Sequence, residues 1–152
     1  VNDSIKKGFL YGLLGTLGMT LVMVLGTLTG LSPMPEPIPV ALTKMVFGAM
    51  EQPLLIAIGL VAHFLYGGIA SIVFANLFRR AIGPWSGLGY AVLLWLVMQI
   101  VFLPMLGWGL FGSNITPSIA VATLILHLIY GGVLGWGFDY IKQEDSSDEL
   151  SP

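Results

Sequence analysis

Charged positions divide this chain into long apolar runs. Lys7 and Glu36 bound the first, Glu51 and Arg79 the second, and Arg80 and Asp139 the third. An ionised side chain near the centre of a bilayer is costly, so each charge-free run is a candidate membrane span. The first two runs each hold one helix longer than the ~20 residues needed to cross, Gly8 to Leu31 and Pro53 to Phe78. The third is far too long for one helix. Gly107-Trp-Gly-Leu-Phe-Gly-Ser-Asn-Ile-Thr-Pro117 carries the Gly, Asn and Pro that break helices, which splits the run into Trp85 to Leu106 and Ser118 to Phe138. The pattern predicts an all-α fold, a transmembrane four-helix bundle occupying residues 1–142.

Two segments stand outside the spans. Ser32-Pro-Met-Pro-Glu-Pro-Ile-Pro39 has alternating prolines, which fix φ and favour a stiff extended strap. Behind it, Leu42, Met45, Val46, Ala49 and Met50 share a helical face opposite Lys44, Gly48 and Glu51, predicting a short amphipathic surface helix that serves as a connector or a lid. Residues 143–152 are acidic and almost without apolar side chains, so burial cannot offset their ordering entropy and a disordered cytoplasmic tail is expected.

Composition narrows the function classes. Only 9% of residues are charged and 56% are hydrophobic, against about a quarter charged in soluble domains, so the expected partner is the lipid bilayer. Six basic and eight acidic residues leave no cationic surplus for phosphate backbones, and nucleic acid is not expected as a partner. The chain has no cysteine, which removes disulfide, thiolate and iron–sulfur chemistry. Four spans return both termini to one side. Lys6, Lys7, Arg79, Arg80 and Lys142 gather there with only Lys44 opposite, so a multi-pass protein of the cell's inner (plasma) membrane with cytoplasmic termini is expected. Lys6 and Lys7 precede an apolar run longer than a secretory signal core, and the first helix reads as an uncleaved anchor. Nucleotide-loop, Gly-x-Ser-x-Gly and His-Glu-x-x-His motifs are missing, and the expectation is a non-enzyme.

One motif occurs twice. Pro53 and His63-Phe-Leu-Tyr66-Gly67-Gly68 in the second span match Pro117 and His127-Leu-Ile-Tyr130-Gly131-Gly132 in the fourth as P-x9-H-x2-Y-G-G. With a looser Leu-Val-Met match between the first and third spans, this reads as two parallel helical-hairpin repeats. Proline in the first helical turn and a rise of about 1.5 Å per residue put each histidine ~15 Å below the boundary of a core ~30 Å thick, at the midplane. His63, Gly67 and Ser71 form one stripe and His127, Gly131 and Gly135 another, so both imidazoles are expected to face the protein interior, with Tyr66 and Tyr130 close to the same faces.

Gly12-Leu-Leu-Gly15-Thr16, Gly107-Trp-Gly109-Leu-Phe111-Gly112 and His127-Leu-Ile-Tyr130-Gly131-Gly-Val-Leu-Gly135 carry a resemblance that spans most of residues 8–138. On these motifs the chain resembles an uncharacterised family of small prokaryotic four-span integral membrane proteins, and is similar to the YagU-like proteins. The resemblance implies the four-helix architecture and brings no activity with it.

Three readings of the histidines stay open. In the first, His63 and His127 are neutral packing residues of a structural or accessory protein, with a homo-oligomer or a membrane complex as its setting. In the second they are axial ligands of haem b, with Tyr66, Tyr130, Gly67 and Gly131 around the cofactor and Gly67 and Gly131 making room for the macrocycle. In the third they serve a metal-ion, proton or small-solute pathway with Met19, Met23, Met98 or Gln99 nearby.

Overall fold

A computed structural model describes residues 2–48, 50–78 and 82–148, with the side chains of 2–5 and 141–148 left out. Helix α1 is Asn2–Leu28, α2 Ile38–Phe47, α3 Gln52–Leu77, α4 Pro84–Met105 and α5 Ser118–Asp148. Four of these, all but α2, are long and apolar enough to cross a membrane. Their outward sides carry Leu21, Leu25, Val61, Leu65, Val97 and Val121, all exposed, the surface that a lipid solvent rather than water requires. The chain is a multi-pass membrane protein, and the four helices match the four expected spans. Four crossings put residue 2 and α5's end on one face, the terminal face, and the strap, α2 and the loop 106–117 on the other, the loop face.

The helices pack in a row. α3 lies on α1, α1 on α5, and α5 on α4. Small residues set the two closest approaches: a Cβ on Gly12 would lie 2.6 Å from Ser71 Cβ and 2.7 Å from the Gly67 carbonyl oxygen. On the other side, a Cβ on Gly131 would lie 2.5 Å from Ala91 Cβ and would strike the Gly87 carbonyl oxygen. The row closes into a bundle only near the terminal face. There Tyr90 of α4 donates its hydroxyl to the Ala70 carbonyl of α3 at 2.9 Å. Its ring meets Phe74 at 5.3 Å and Phe78 at 6.0 Å, and Phe74 also meets Phe138 at 5.6 Å.

Several boundaries differ from expectation for identifiable reasons. The extended strap ends at Pro37, and α2 starts at Ile38 because Pro39 sits in its first turn, where no backbone N–H is needed. The face of α2 buried in the protein is accordingly Ile38, Val40, Ala41 and Thr43, while Met45 and Val46, of the apolar face expected to lie on the membrane, are exposed. Lys44 pairs with Glu36 across the strap at 3.6 Å. Helix α4 contains a π-helical turn over Met98–Phe102, closed by the Leu103 N–H on the Met98 carbonyl. Pro104 supplies no N–H and its ring would clash with the carbonyl four residues back, so the widened turn accommodates it. Helix α5 runs past Phe138 into the acidic segment as far as Asp148, and residues 149–152 of the expected tail lie outside the described residues. So do Arg79, Arg80 and Ala49, together with the Lys142 side chain.

Candidate functional site

Between the midplane and the loop face, the bundle holds a partly open cavity of about 320 Å³. It has a roof and a floor. The roof is the strap and α2, which present Met34, Ile38 and Leu42 to it; Ile38 and Ala41 of α2 are anchored in a cluster with Met98, Leu103, Trp108 and Ile119. Gly59 of α3 lets this roof sit close, since a Cβ there would be 2.9 Å from the Pro39 carbonyl oxygen. The floor is Tyr130, backed at the terminal side by the aromatic cluster of Phe74, Tyr90 and Phe138 in which it packs.

Both sequence-predicted histidines line this one cavity. Their hydrogen bonding differs. His127 Nδ1 lies 2.8 Å from the carbonyl oxygen of Thr123, one turn back on α5. A carbonyl only accepts, so Nδ1 carries the proton, and a neutral imidazole in this tautomer keeps a free lone pair on Nε2. His63 Nε2 is buried and has no hydrogen-bond partner. A buried polar atom left unpaired costs about 1–3 kcal/mol.

The tyrosines divide as well. Tyr130 is 3% exposed, and its hydroxyl donates to the Gly67 carbonyl oxygen, tying α5 to α3 directly beneath the cavity. Tyr66 lines the cavity with its ring 45% exposed, at the edge where α3 faces α4.

The glycines expected to make room for a macrocycle are in helix contacts. Gly67 borders the cavity, but a Cβ there would run into the Thr16 hydroxyl, which itself donates to the Gly12 carbonyl at 2.8 Å. Gly131 faces Gly87 and Ala91 of α4, away from the cavity. Of the six predicted site residues, His63, His127, Tyr66, Tyr130 and Gly67 come together here and Gly131 does not.

A polar network behind His127 was not assembled by sequence reasoning. Gln99, fully buried in the π turn of α4, donates from Nε2 to the Thr123 hydroxyl at 2.8 Å. Thr123 passes its own proton to the Ile119 carbonyl at 2.7 Å, and Trp95 Nε1 donates to the Ala120 carbonyl at 3.0 Å. The signals were Trp95 at mid-depth, a glutamine within a span, and a threonine four residues before the histidine. Met19, Met23, Met34 and Met98 complete the wall with soft, adaptable side chains. Among the described residues, no three His, Cys, Asp or Glu side chains gather as a metal-binding group.

Comparison with known proteins adds ancestry without an activity. The uncharacterized protein YqhR of Bacillus subtilis (strain 168) is 26% identical over 98 residues, covering 62% of this chain and 55% of that protein. The chain thus spans about half the length of the curated relative it matches. No solved structure matches it. The model of a family of unknown function (DUF6789) matches residues 2–149, nearly the whole chain, and the protein described here belongs to that family.

Proposed function

We propose that this protein is a membrane-embedded binding protein for a small, largely apolar ligand, with the His63 and His127 imidazoles as its polar anchor. The observation that carries the reading is the buried, unpartnered Nε2 of His63 in the wall of a cavity of about 320 Å³. Ligand sites of about 300–1,000 Å³ are typically apolar with a few convergent polar groups, and this wall has that composition. A pure packing role would leave His63 Nε2 unpaired and the cavity that both imidazoles line without an occupant. The test is extraction of the full chain, purified in native lipid, followed by mass spectrometry of what co-purifies with wild type and with His63→Leu. A compound held stoichiometrically by wild type and lost in the variant supports the reading; identical extracts, empty but for bulk lipid, refute it.

Haem b held by His63 and His127 is the second reading. The bond from His127 Nδ1 to a backbone carbonyl favours it, because iron-ligating histidines are usually fixed through the other ring nitrogen. Against it, Gly67 and Gly131 are taken up by contacts with α1 and α4 rather than by open space. Oxidised and dithionite-reduced spectra with total metal content decide it: a reduced α-band and near-stoichiometric iron, lost in His63→Ala or His127→Ala, would replace the apolar-ligand reading. Bound non-haem metal would instead favour ion handling. The resemblance to YagU-like proteins supports the architecture alone. Cytoplasmic termini and residence in the inner membrane remain part of this proposal, supported by the basic residues Lys6 and Lys7 at the terminal face against Lys44 at the loop face.

A further inference from the structure

The cavity is closed towards both aqueous faces and bordered by lipid-facing helices on one side. At the loop face α2 covers it, held by Ile38 and Ala41 in their cluster with Met98, Leu103 and Trp108. Towards the terminal face, Tyr130 closes it, backed by the cluster of Phe74, Tyr90 and Phe138, with Tyr90 bonded to α3 at 2.9 Å and Tyr130 bonded to the Gly67 carbonyl. The helix row is continuous from α3 through α1 and α5 to α4. What remains is the interval between α3 and α4 above Tyr90, edged by Ala62 and Tyr66 on one helix and Leu94 and Met98 on the other. Both helices span the bilayer, so this interval faces hydrocarbon.

The anchor then restricts the ligand's polar group. His127 donates from Nδ1 to Thr123, so its Nε2 offers a lone pair to the cavity and needs a donor. A ligand carbonyl or ether, which only accepts, leaves that nitrogen unsatisfied. A neutral hydroxyl satisfies it, since its O–H donates to His127 Nε2 in the cavity wall. A charged head group would have to lose its hydration at mid-membrane. Resting on the binding role proposed above, we infer that the ligand is a lipid-soluble molecule with an uncharged hydroxyl on an apolar body, of the phenol, quinol or isoprenoid-alcohol type. It enters from the bilayer between α3 and α4, under the roof of α2.

The test uses the full chain in lipid nanodiscs and a matched pair of probes, para-pentylphenol and its methyl ether para-pentylanisole, with each affinity corrected for partition into protein-free discs. The expected result is binding of the phenol about tenfold or more tighter than the anisole, because a site built around a hydroxyl rejects the analogue that lacks it. His127→Leu should bring the two affinities together without abolishing anisole binding. Ala62→Trp, which fills the interval from its α3 edge, should weaken both probes together. Equal binding of phenol and anisole to wild type overturns the hydroxyl assignment while leaving the apolar binding role intact, and it does so even if His127→Leu fails to fold. Unchanged binding of both probes in a folded Ala62→Trp protein overturns entry between α3 and α4. Binding of neither probe by wild type removes the binding role itself.

Discussion

The twin glycines of the second motif copy, Gly131 and Gly132, give the sharpest test of how this bundle is held together, because they are adjacent in sequence and opposite in environment. A methyl group on Gly131 would point at the α4 backbone, striking the Gly87 carbonyl oxygen and standing 2.5 Å from Ala91 Cβ and 3.0 Å from the Gly87 carbonyl carbon. Ordinary carbon–carbon contact needs about 3.5–4.0 Å, so α4 and α5 would have to move apart by about 1 Å along their contact. None of the obstructing atoms is the tip of a flexible side chain. A methyl group on Gly132 has no neighbour within 4 Å.

Overpacking a well-packed contact costs typically about 1–3 kcal/mol, and Gly131→Ala is placed at the upper part of that range because backbone opposes it. At about 2–3 kcal/mol this corresponds to a shift of the unfolding equilibrium by about thirtyfold to a hundred-and-fiftyfold. Gly132→Ala should be neutral or stabilising by up to about 1 kcal/mol, since alanine loses less backbone freedom in a helix. The assay is equilibrium unfolding of both variants in mixed micelles, followed by tryptophan fluorescence; Trp85 and Trp136 near the terminal face report on the α4 and α5 ends. Equal costs for the two alanines, or a harmless Gly131→Ala, would refute the assignment of this glycine to the α4 contact.

Three further outcomes follow from the same geometry. Tyr130→Phe removes the hydroxyl bond to the Gly67 carbonyl and should cost under about 1 kcal/mol in the same unfolding assay, the usual size of an interhelical hydrogen bond in a membrane. Gln99→Leu removes a fully buried amide whose Oε1 has no partner and leaves the Thr123 hydroxyl still bonded to Ile119. Its stability should be unchanged or raised by up to about 1 kcal/mol, whereas a loss of more than about 2 kcal/mol would mean that Oε1 is satisfied by a bound molecule. Lys44→Ala breaks an ion pair of 3.6 Å between side chains that are 58% and 29% exposed. It should move the midpoint by no more than the equivalent of about 0.5 kcal/mol at any salt concentration, and a larger effect would make the strap a structural clamp on α2.

Helices were legible in the sequence because hydropathy and charge report directly on the cost of putting a residue in lipid, and Lys7, Glu36, Glu51 and Asp139 bracket the spans. Helix ends were less so. Pro39 reads equally well as the last residue of an extended strap and as part of a first helical turn, and only the packing of Ile38 and Ala41 against Met98 and Trp108 decides for the helix. The motif P-x9-H-x2-Y-G-G picked out residues that line one cavity, since helical depth and stripe follow from spacing alone. It could not say which neighbour each stripe meets. Gly67 and Gly131 occupy the same motif position, yet one borders the cavity against α1 and the other is sealed against α4. Similarly, Gln99 and Thr123 are polar residues in separate spans, and nothing in their spacing pairs them until the π turn before Pro104 aims the amide at α5.

Divergence between the two motif copies is what leaves a cavity rather than a sealed core. If both copies behaved as the second does, Tyr66 would cross to the Gly131 carbonyl of α5, as Tyr130 crosses to that of Gly67 on α3. Instead Tyr66 remains half exposed at the cavity edge. If both histidines bonded the carbonyl one turn back, as His127 does to Thr123, both Nε2 atoms would be lone pairs and a single hydroxyl could satisfy only one. The residue at the corresponding place before His63 is Gly59, and it is the surface on which Pro39 and Thr43 of α2 rest. The first copy therefore uses that turn of α3 to carry the roof, and His63 is left with a buried nitrogen that has no partner among the described residues. One motif, placed against two different neighbours, supplies the frame in one copy and the open valence in the other.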